Sequence, residues 1–149
     1  MVTDLITNIA DFEILSNKGQ PYLSLVLKSG PAMPVATAGD GVRLLLTLSF
    51  ELAQPEGGLV LMEEPETHLH PAAIFQASRA IRAAADRKIQ IVATTHSLDF
   101  IDALIHHFQG SLNSLAFYKV RLEDGKLLSY RMSGEDAAKA RTQIMEDLR

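Results

Sequence analysis

An α/β fold, with a mainly parallel central sheet flanked by helices and edged by antiparallel hairpins, is what this sequence predicts. Three observations carry that reading. Leu59-Val60-Leu61-Met62 is a short continuous apolar run that ends on Glu63-Glu64-Pro65, as a strand buried on both faces does. Ile89-Gln90-Ile91-Val92-Ala93-Thr94 is a second such run, and a helical stretch from Pro71 separates the two. Strand, helix, strand at this spacing is a βαβ unit, whose strands run parallel. Turn signals containing Asn17 and Gly19, and Asp124 and Gly125, place a hairpin near each end of the chain.

Taken in order, residues 4–10 read as the tail of a helix. Phe12 to Leu15 and Tyr22 to Leu27 read as strands joined through Ser16-Asn17-Lys18-Gly19-Gln20-Pro21, and Ser29-Gly30-Pro31 ends the pair. Val35 to Asp40 is a loop of small residues. A helix follows from about Gly41 to Ala53; Leu44, Leu45, Leu46, Leu48, Phe50 and Leu52 make it apolar on nearly all sides, so burial is expected. Pro55-Glu56-Gly57-Gly58 turns the chain into the first buried strand. Pro71 suits the first position of the next helix. There Ile74, Ser78, Ile81 and Ala85 share a face, while Arg79, Arg82 and Asp86 take the other side. Ser97 is a natural N-cap for a helix over Leu98 to Phe108. After Gly110-Ser111, strands over Ser114 to Leu122 and Lys126 to Met132 form the second hairpin. Ser133, with Asp136 three residues on, caps a terminal helix over Glu135 to Leu148.

The bulk numbers bound the function. A chain of 149 residues reads as one domain, 1–149, with room for a real core. At 47% apolar and 21% charged it has a globular composition. A net charge of −4 and a pI near 5.7 carry no bulk signal for nucleic acid. With no cysteine, disulfides and thiolate metal sites are excluded, which fits a reducing cytoplasm. No apolar run reaches the ~18 residues of a membrane-spanning helix. Met1-Val2-Thr3-Asp4 does not open a secretory signal.

The chemistry concentrates after the two buried strands. Glu63 and Glu64 sit at the carboxyl end of the first, where open α/β sheets bind ligands. One carboxylate there can hold Mg²⁺, and its neighbour can orient or deprotonate a water. The plainer reading is a strand that ends in solvated acids. His96 ends the second strand; its ring can donate one hydrogen bond and accept another, or it is simply a surface or capping histidine. Glu63, Glu64, Glu66, His68 and His70 also permit a rival, an N/O-ligand site for Zn²⁺ or Mn²⁺, because His-x-His on an extended segment places both rings on one side.

A hydrophobic run, an acid, Glu-Pro and a short segment ending in His-Pro resemble the Walker B and D-loop of ABC-type ATPases. Glu63-Glu64-Pro65-Glu66-Thr67-His68-Leu69-His70-Pro71 is most similar to the OLD-like (overcoming lysogenization defect) ATPases and their AAA-labelled relatives. Ile91-Val92-Ala93-Thr94-Thr95-His96-Ser97 resembles their switch-histidine strand. Ala36-Thr37-Ala38-Gly39-Asp40-Gly41-Val42-Arg43 resembles a degenerate signature motif, with Ala36 and Ala38 in place of the usual Leu and Gly and Thr37 in place of Ser. The resemblance runs from about residue 20 to about residue 110, and its order is the family's.

The resemblance implies the C-terminal half of a P-loop NTPase of ABC type. It puts Glu63 on the Mg²⁺ side, where relatives more often have Asp, and makes Glu64 the base that polarises water. It sets His96 against the γ-phosphate. Thr37, Gly39, Asp40 and Arg43 would reach the nucleotide on the other protomer of a dimer, and His70 ends a D-loop segment that lines the same interface. The nine glycines include no G-x-x-x-x-G-K-[ST] phosphate loop. ATP and Mg²⁺ are therefore expected only in a complete assembly, and the chain alone is expected to be inactive. Its expected partner is itself, as a homodimer or swapped oligomer, or a chain carrying the Walker A loop. DNA enters by analogy alone, and no membrane is expected. Two other classes stay open: a non-catalytic interaction or regulatory module on the same scaffold, and a metal-dependent hydrolase using the Glu/His cluster.

Overall fold

The computed structural model describes residues 8–144, 147 and 148. Of the helix tail expected at 4–10, residues 4–7 lie outside the described ones, and Ile9 and Ala10 open a strand instead. The reason is long-range: Ile9 pairs with Leu27 and is buried with Leu25 and Leu46. Strands β1 (Ile9–Asn17) and β2 (Gln20–Leu27) are antiparallel. Lys18 and Gly19 between them both have positive φ, 50° and 80°, as a two-residue type I′ turn requires. β3 (Ala32–Pro34) pairs with β2 and completes a three-stranded antiparallel sheet.

A 3₁₀ turn over Val35–Thr37 leads into α1 (Asp40–Glu51). This helix is apolar on many sides because it serves two clusters. Leu45 and Leu48 belong to the main core, whereas Leu46 packs under the antiparallel sheet. Burial is not complete all round, since Leu44 and Phe50 remain exposed.

The βαβ unit follows: β4 (Leu59–Glu63), α2 (Pro71–Asp86) and β5 (Gln90–Thr94). β4 and β5 are parallel, in register from Leu59 opposite Gln90 to Glu63 opposite Thr94. Among the described residues they pair only with each other. Pro71 takes the first turn of α2 as expected, and Ile74, Ala77, Ser78, Ile81 and Ala84 form its buried face. They pack with Val60, Ile89 and Phe100 in the main core. α3 (Leu98–His107) starts at Ser97, whose side chain accepts from the Phe100 amide at 3.2 Å.

One face of the parallel pair is bare. Val60 is buried and Met62 half-buried, but Leu59, Leu61 and Val92 are 58%, 70% and 51% exposed. The register puts Leu61 beside Val92, so these side chains share one surface. The burial on both faces that the sequence predicts is met, among the described residues, on one face only. The helices that cover the pair lie on the other side.

β6 (Ala116–Glu123) and β7 (Lys126–Ser133) form the second hairpin, turning through Asp124 and Gly125 at φ 49° and 75°. Leu122, Leu127, Tyr118 and Tyr130 on this ribbon are exposed. α4 (Gly134–Lys139) begins at Ser133, which accepts from the Asp136 amide at 3.1 Å and donates to its carboxylate at 2.6 Å. Only glycine fits at 134, because a Cβ there would lie 2.2 Å from the Leu112 carbonyl oxygen. The expected terminal helix loses α geometry early: Ala140–Ile144 is a π turn, and residues 145 and 146 lie outside the described ones. Arg141 forks onto Asp102 of α3 with two 2.7 Å bonds, fastening this segment.

The contact between α2 and α3 holds a pH-dependent group. The His107 ring stacks on Phe75 with centroids 4.2 Å apart, and its Nε2 lies 3.1 Å from the Phe75 carbonyl oxygen. Burial and the neighbouring His106 push His107 below its ordinary 6.5, against the opposing pull of the Phe75 carbonyl. Between the lowered folded value and the unfolded value, the unfolded chain binds more protons, so stability rises with pH there. The fold is therefore expected to keep its full stability above about pH 6.5 and to lose some as pH falls from there through the folded value. Thermal melts at pH 7.5 and 5.5 check this: the drop in Tm should be smaller in His107→Gln than in the native chain. Equal drops would exclude His107 as the cause.

Candidate functional site

The site is built where β4 and β5 end side by side. Glu63 is the last residue of β4 and lies opposite Thr94, the last of β5. Its side chain is exposed. The chain then turns sharply. Glu64 adopts φ 42°, an unusual left-handed conformation for a non-glycine residue, while its amide still donates to the Thr94 carbonyl at 3.0 Å. Such a residue costs on the order of 1–3 kcal/mol and is found where surrounding contacts over-determine it. Those contacts are present: the Glu64 amide also reaches Thr94 Oγ1 at 3.3 Å, and Thr67 returns from the turn to donate to Glu64 Oε2 at 3.2 Å.

His96 arrives from the other strand. Its Nε2 lies 3.6 Å from Glu64 Oε1, with the imidazole 85% and the carboxylate side chain 44% exposed. Two sequence-predicted residues thirty-two positions apart are thereby brought together at an open, solvent-reached edge. A carboxylate held by one hydroxyl and faced by an imidazole retains free lone pairs for water. It has the composition of a water-activating pair.

The other candidates fall elsewhere. His70 caps α2, its Nδ1 accepting from the Ala72 amide at 3.3 Å. Gly39 is the N-cap of α1, with Asp40 its first residue. Thr37 donates to the Pro34 carbonyl at 2.8 Å, and Arg43 is paired with Asp40 one turn away. The contacts of Thr37 and Arg43 stay within the end of β3, the loop and α1, and Val35, Ala38 and Val42 pack with the cluster under the antiparallel sheet rather than with the main core. Within one chain, the signature-like loop and the Glu64–His96 pair thus belong to different packing units.

The metal-cluster alternative is corrected. Among the described residues no group of three or more His, Asp or Glu side chains is gathered to hold an ion. The extended His-x-His geometry it needed is absent. Residues 65–68 form a turn, His68 has φ 64°, and His70 is committed to its helix.

Two residues of the site, Glu66 and Thr95, hold a place that the sequence does not point to. Glu66 is 8% exposed, the most hidden carboxylate in this region, and Thr95 Oγ1 donates to its Oε1. Thr95 Oγ1 in turn accepts from the Ser97 amide at 3.0 Å. From the sequence Glu66 is one more oxygen donor of the Glu/His cluster. A signal existed only in its place between Pro65 and Thr67, inside the turn rather than at its rim.

Residues 5–102 match the family model described as "AAA domain, putative AbiEii toxin, Type IV TA system". An uncharacterized protein, MJECL11, of Methanocaldococcus jannaschii is 25% identical over 112 residues, which covers 74% of this chain and 98% of the relative. Among solved structures, one from work on ATP-driven dimerization and DNA-stimulated activation of SMC ATPases superposes with a TM-score of 0.66 at 13% identity. It is covered to 86%, and this chain to 97%. An Smc head bound to the C-winged helix domain of ScpA gives 0.67 at 17% identity. An Smc head with an extended coiled coil, bound to the C-terminal domain of ScpA derived from Pyrococcus furiosus, gives 0.63 at 16%. This chain spans only 41% and 36% of those two heads. At these identities the likeness is one of fold: an α/β fold like that of ABC-type SMC heads.

Proposed function

This chain belongs to the AAA-domain family whose model spans residues 5–102, and we propose that it supplies one half of an ABC-type ATP-hydrolysing site. The observation that carries the reading is the Glu64–His96 pair at the shared end of two parallel strands. Glu64 acts as the general base on the attacking water, and His96 orients that water and the γ-phosphate. Glu63, exposed at the tip of β4, takes Mg²⁺ directly or through water. Phosphoryl transfer needs positioning and charge neutralisation more than covalent chemistry, which suits this donor set. Thr37, Gly39, Asp40 and Arg43 meet the nucleotide across an interface, which fits the packing of their loop away from the main core, and His70, at the start of α2, lines the same interface.

The metal-and-water side of a nucleotide site fits these residues; the phosphate side does not. No G-x-x-x-x-G-K-[ST] occurs in the sequence, and most triphosphate affinity comes from such a loop and its lysine. The complete site therefore needs a Walker A loop from outside these 149 residues, whether on a further segment of the same protein or on a partner chain. Dimerisation and DNA stimulation, named for an SMC relative, are the corresponding expectations for that assembly.

Titration calorimetry of Mg²⁺–ATP into the isolated chain tests the reading. Binding no tighter than about 1 mM is expected. Tight, Mg²⁺-dependent binding would show a phosphate cradle other than a Walker A loop and would overturn the half-site. A second reading, a scaffold that hydrolyses nothing, is favoured by the same missing loop; absence of turnover in an assembly with a Walker A chain would select it.

A further inference from the structure

We propose that Glu66 is a positioning residue: acting through Thr95, it fixes the loop that carries His96 against the turn that carries Glu64. The proposal takes its purpose from the reading of Glu64 and His96 as the reacting pair, but its test needs neither nucleotide nor turnover.

The two functional side chains stand at exposed ends of short strands, and nothing in β4 or β5 themselves holds His96 toward Glu64. The link lies one layer deeper. Thr95, the residue before His96, gives its hydroxyl proton to Glu66 Oε1 and takes the Ser97 amide proton. Thr95 therefore has both of its hydroxyl roles filled, and the His96 backbone is pinned on both sides. At the other end, Glu66 is joined to Glu64 through one turn, in which the Thr67 amide donates to the Glu64 carbonyl at 2.9 Å. The Leu69 amide closes the next step on the Glu66 carbonyl at 2.9 Å. The result is a run of hydrogen bonds from Ser97 through Thr95 to Glu66, joined by one peptide step to the Thr67–Glu64 bond of the turn.

Burying a carboxylate is unfavourable unless it is well paired. Glu66 Oε2 is buried and has no hydrogen-bond partner among the described residues. An apolar residue would serve packing better here, so the carboxylate has no rationale as core filling. What it provides is a directional tie between two loops that otherwise meet, among the described residues, at the strand-end bonds of Glu64 to Thr94 and at the exposed Glu64–His96 contact itself.

The experiment is solution NMR on the full chain and four variants. In the native chain, cross-relaxation between the His96 ring protons and the Glu64 Hγ protons reports the pairing. Amide exchange at Ser97, relative to amides of α2, reports the tie. Thr95→Val and Glu66→Ala are each expected to abolish that cross-peak and to raise relative exchange at Ser97 roughly fivefold, the factor for one lost hydrogen bond. Thr95→Ser and Glu66→Gln keep the hydroxyl and the acceptor and are expected to restore both signals. A merely structural residue would instead lower stability throughout, with Ser97 and α2 exchange rising together and the cross-peak surviving. That pattern overturns the proposal. So does an unchanged cross-peak in Thr95→Val, absence of the cross-peak in the native chain, or loss of folding in both Thr95→Val and Glu66→Ala.

Discussion

Glu64→Gln, in an assembly where another chain supplies the phosphate loop, is expected to bind ATP as before and to hydrolyse it about 10²–10⁴ times more slowly. The amide is nearly isosteric with the carboxylate and keeps an oxygen to accept from Thr67, so the left-handed turn and its bonds to Thr94 persist. What disappears is a group able to take a proton from water. Glu63→Gln is expected to act differently, raising the Mg²⁺ concentration needed for activity, because Glu63 ends β4 in the ladder and lies on the proposed ion side. The measurement is steady-state phosphate release beside nucleotide binding in the same preparation. Equal turnover in Glu64→Gln and the native protein would remove Glu64 from the mechanism, and loss of binding would make its role structural.

The parts of this fold that were legible in the sequence are those fixed by local chemistry. Asp124-Gly125 demanded a hairpin because two successive positive-φ residues suit little else. Pro71 and Ser97 marked helix starts because each satisfies or spares an unpaired amide there. The parallel pairing of Leu59–Glu63 with Gln90–Thr94 followed from a helix-length connection. What pattern could not reveal depended on neighbours distant in sequence. Ile9 is a strand residue because Leu27 is there to pair with it. Glu66 became distinct only when Thr95 was placed beside it. The His68–His70 spacing suggested an ion site only on an extended backbone, and the turn at 65–68 removes that premise. Leu61 read as fully buried because an apolar run carries no record of whether its covering layer lies in the same chain.

With that layer lacking, the chain is expected to associate at micromolar concentration rather than persist as a free monomer. Burying a large aliphatic side chain is worth about 1.5–3 kcal/mol. Leu59, Leu61 and Val92, at 58%, 70% and 51% exposed, would each gain somewhat more than half of that. Association itself costs about 4–15 kcal/mol, so these three alone fall short of the roughly 8 kcal/mol net that micromolar affinity demands. Leu122 and Leu127, each 71% exposed, with Val120 and Tyr118 on the same face of the β6–β7 ribbon, add apolar area of similar size. β4 and β5 pair only with each other among the described residues, so a further strand finds free backbone donors and acceptors as well. Together these terms favour a covering layer from a second copy or from a Walker A chain. Light scattering at micromolar concentration reads the outcome directly. A mass well above 16.3 kDa is expected, and Leu61→Lys with Val92→Lys, which charges the bare face without touching Glu64 or His96, should lower it. A monodisperse native monomer would mean that these surfaces are stable in water as they stand, and the half-site reading would lose its physical motive for a partner.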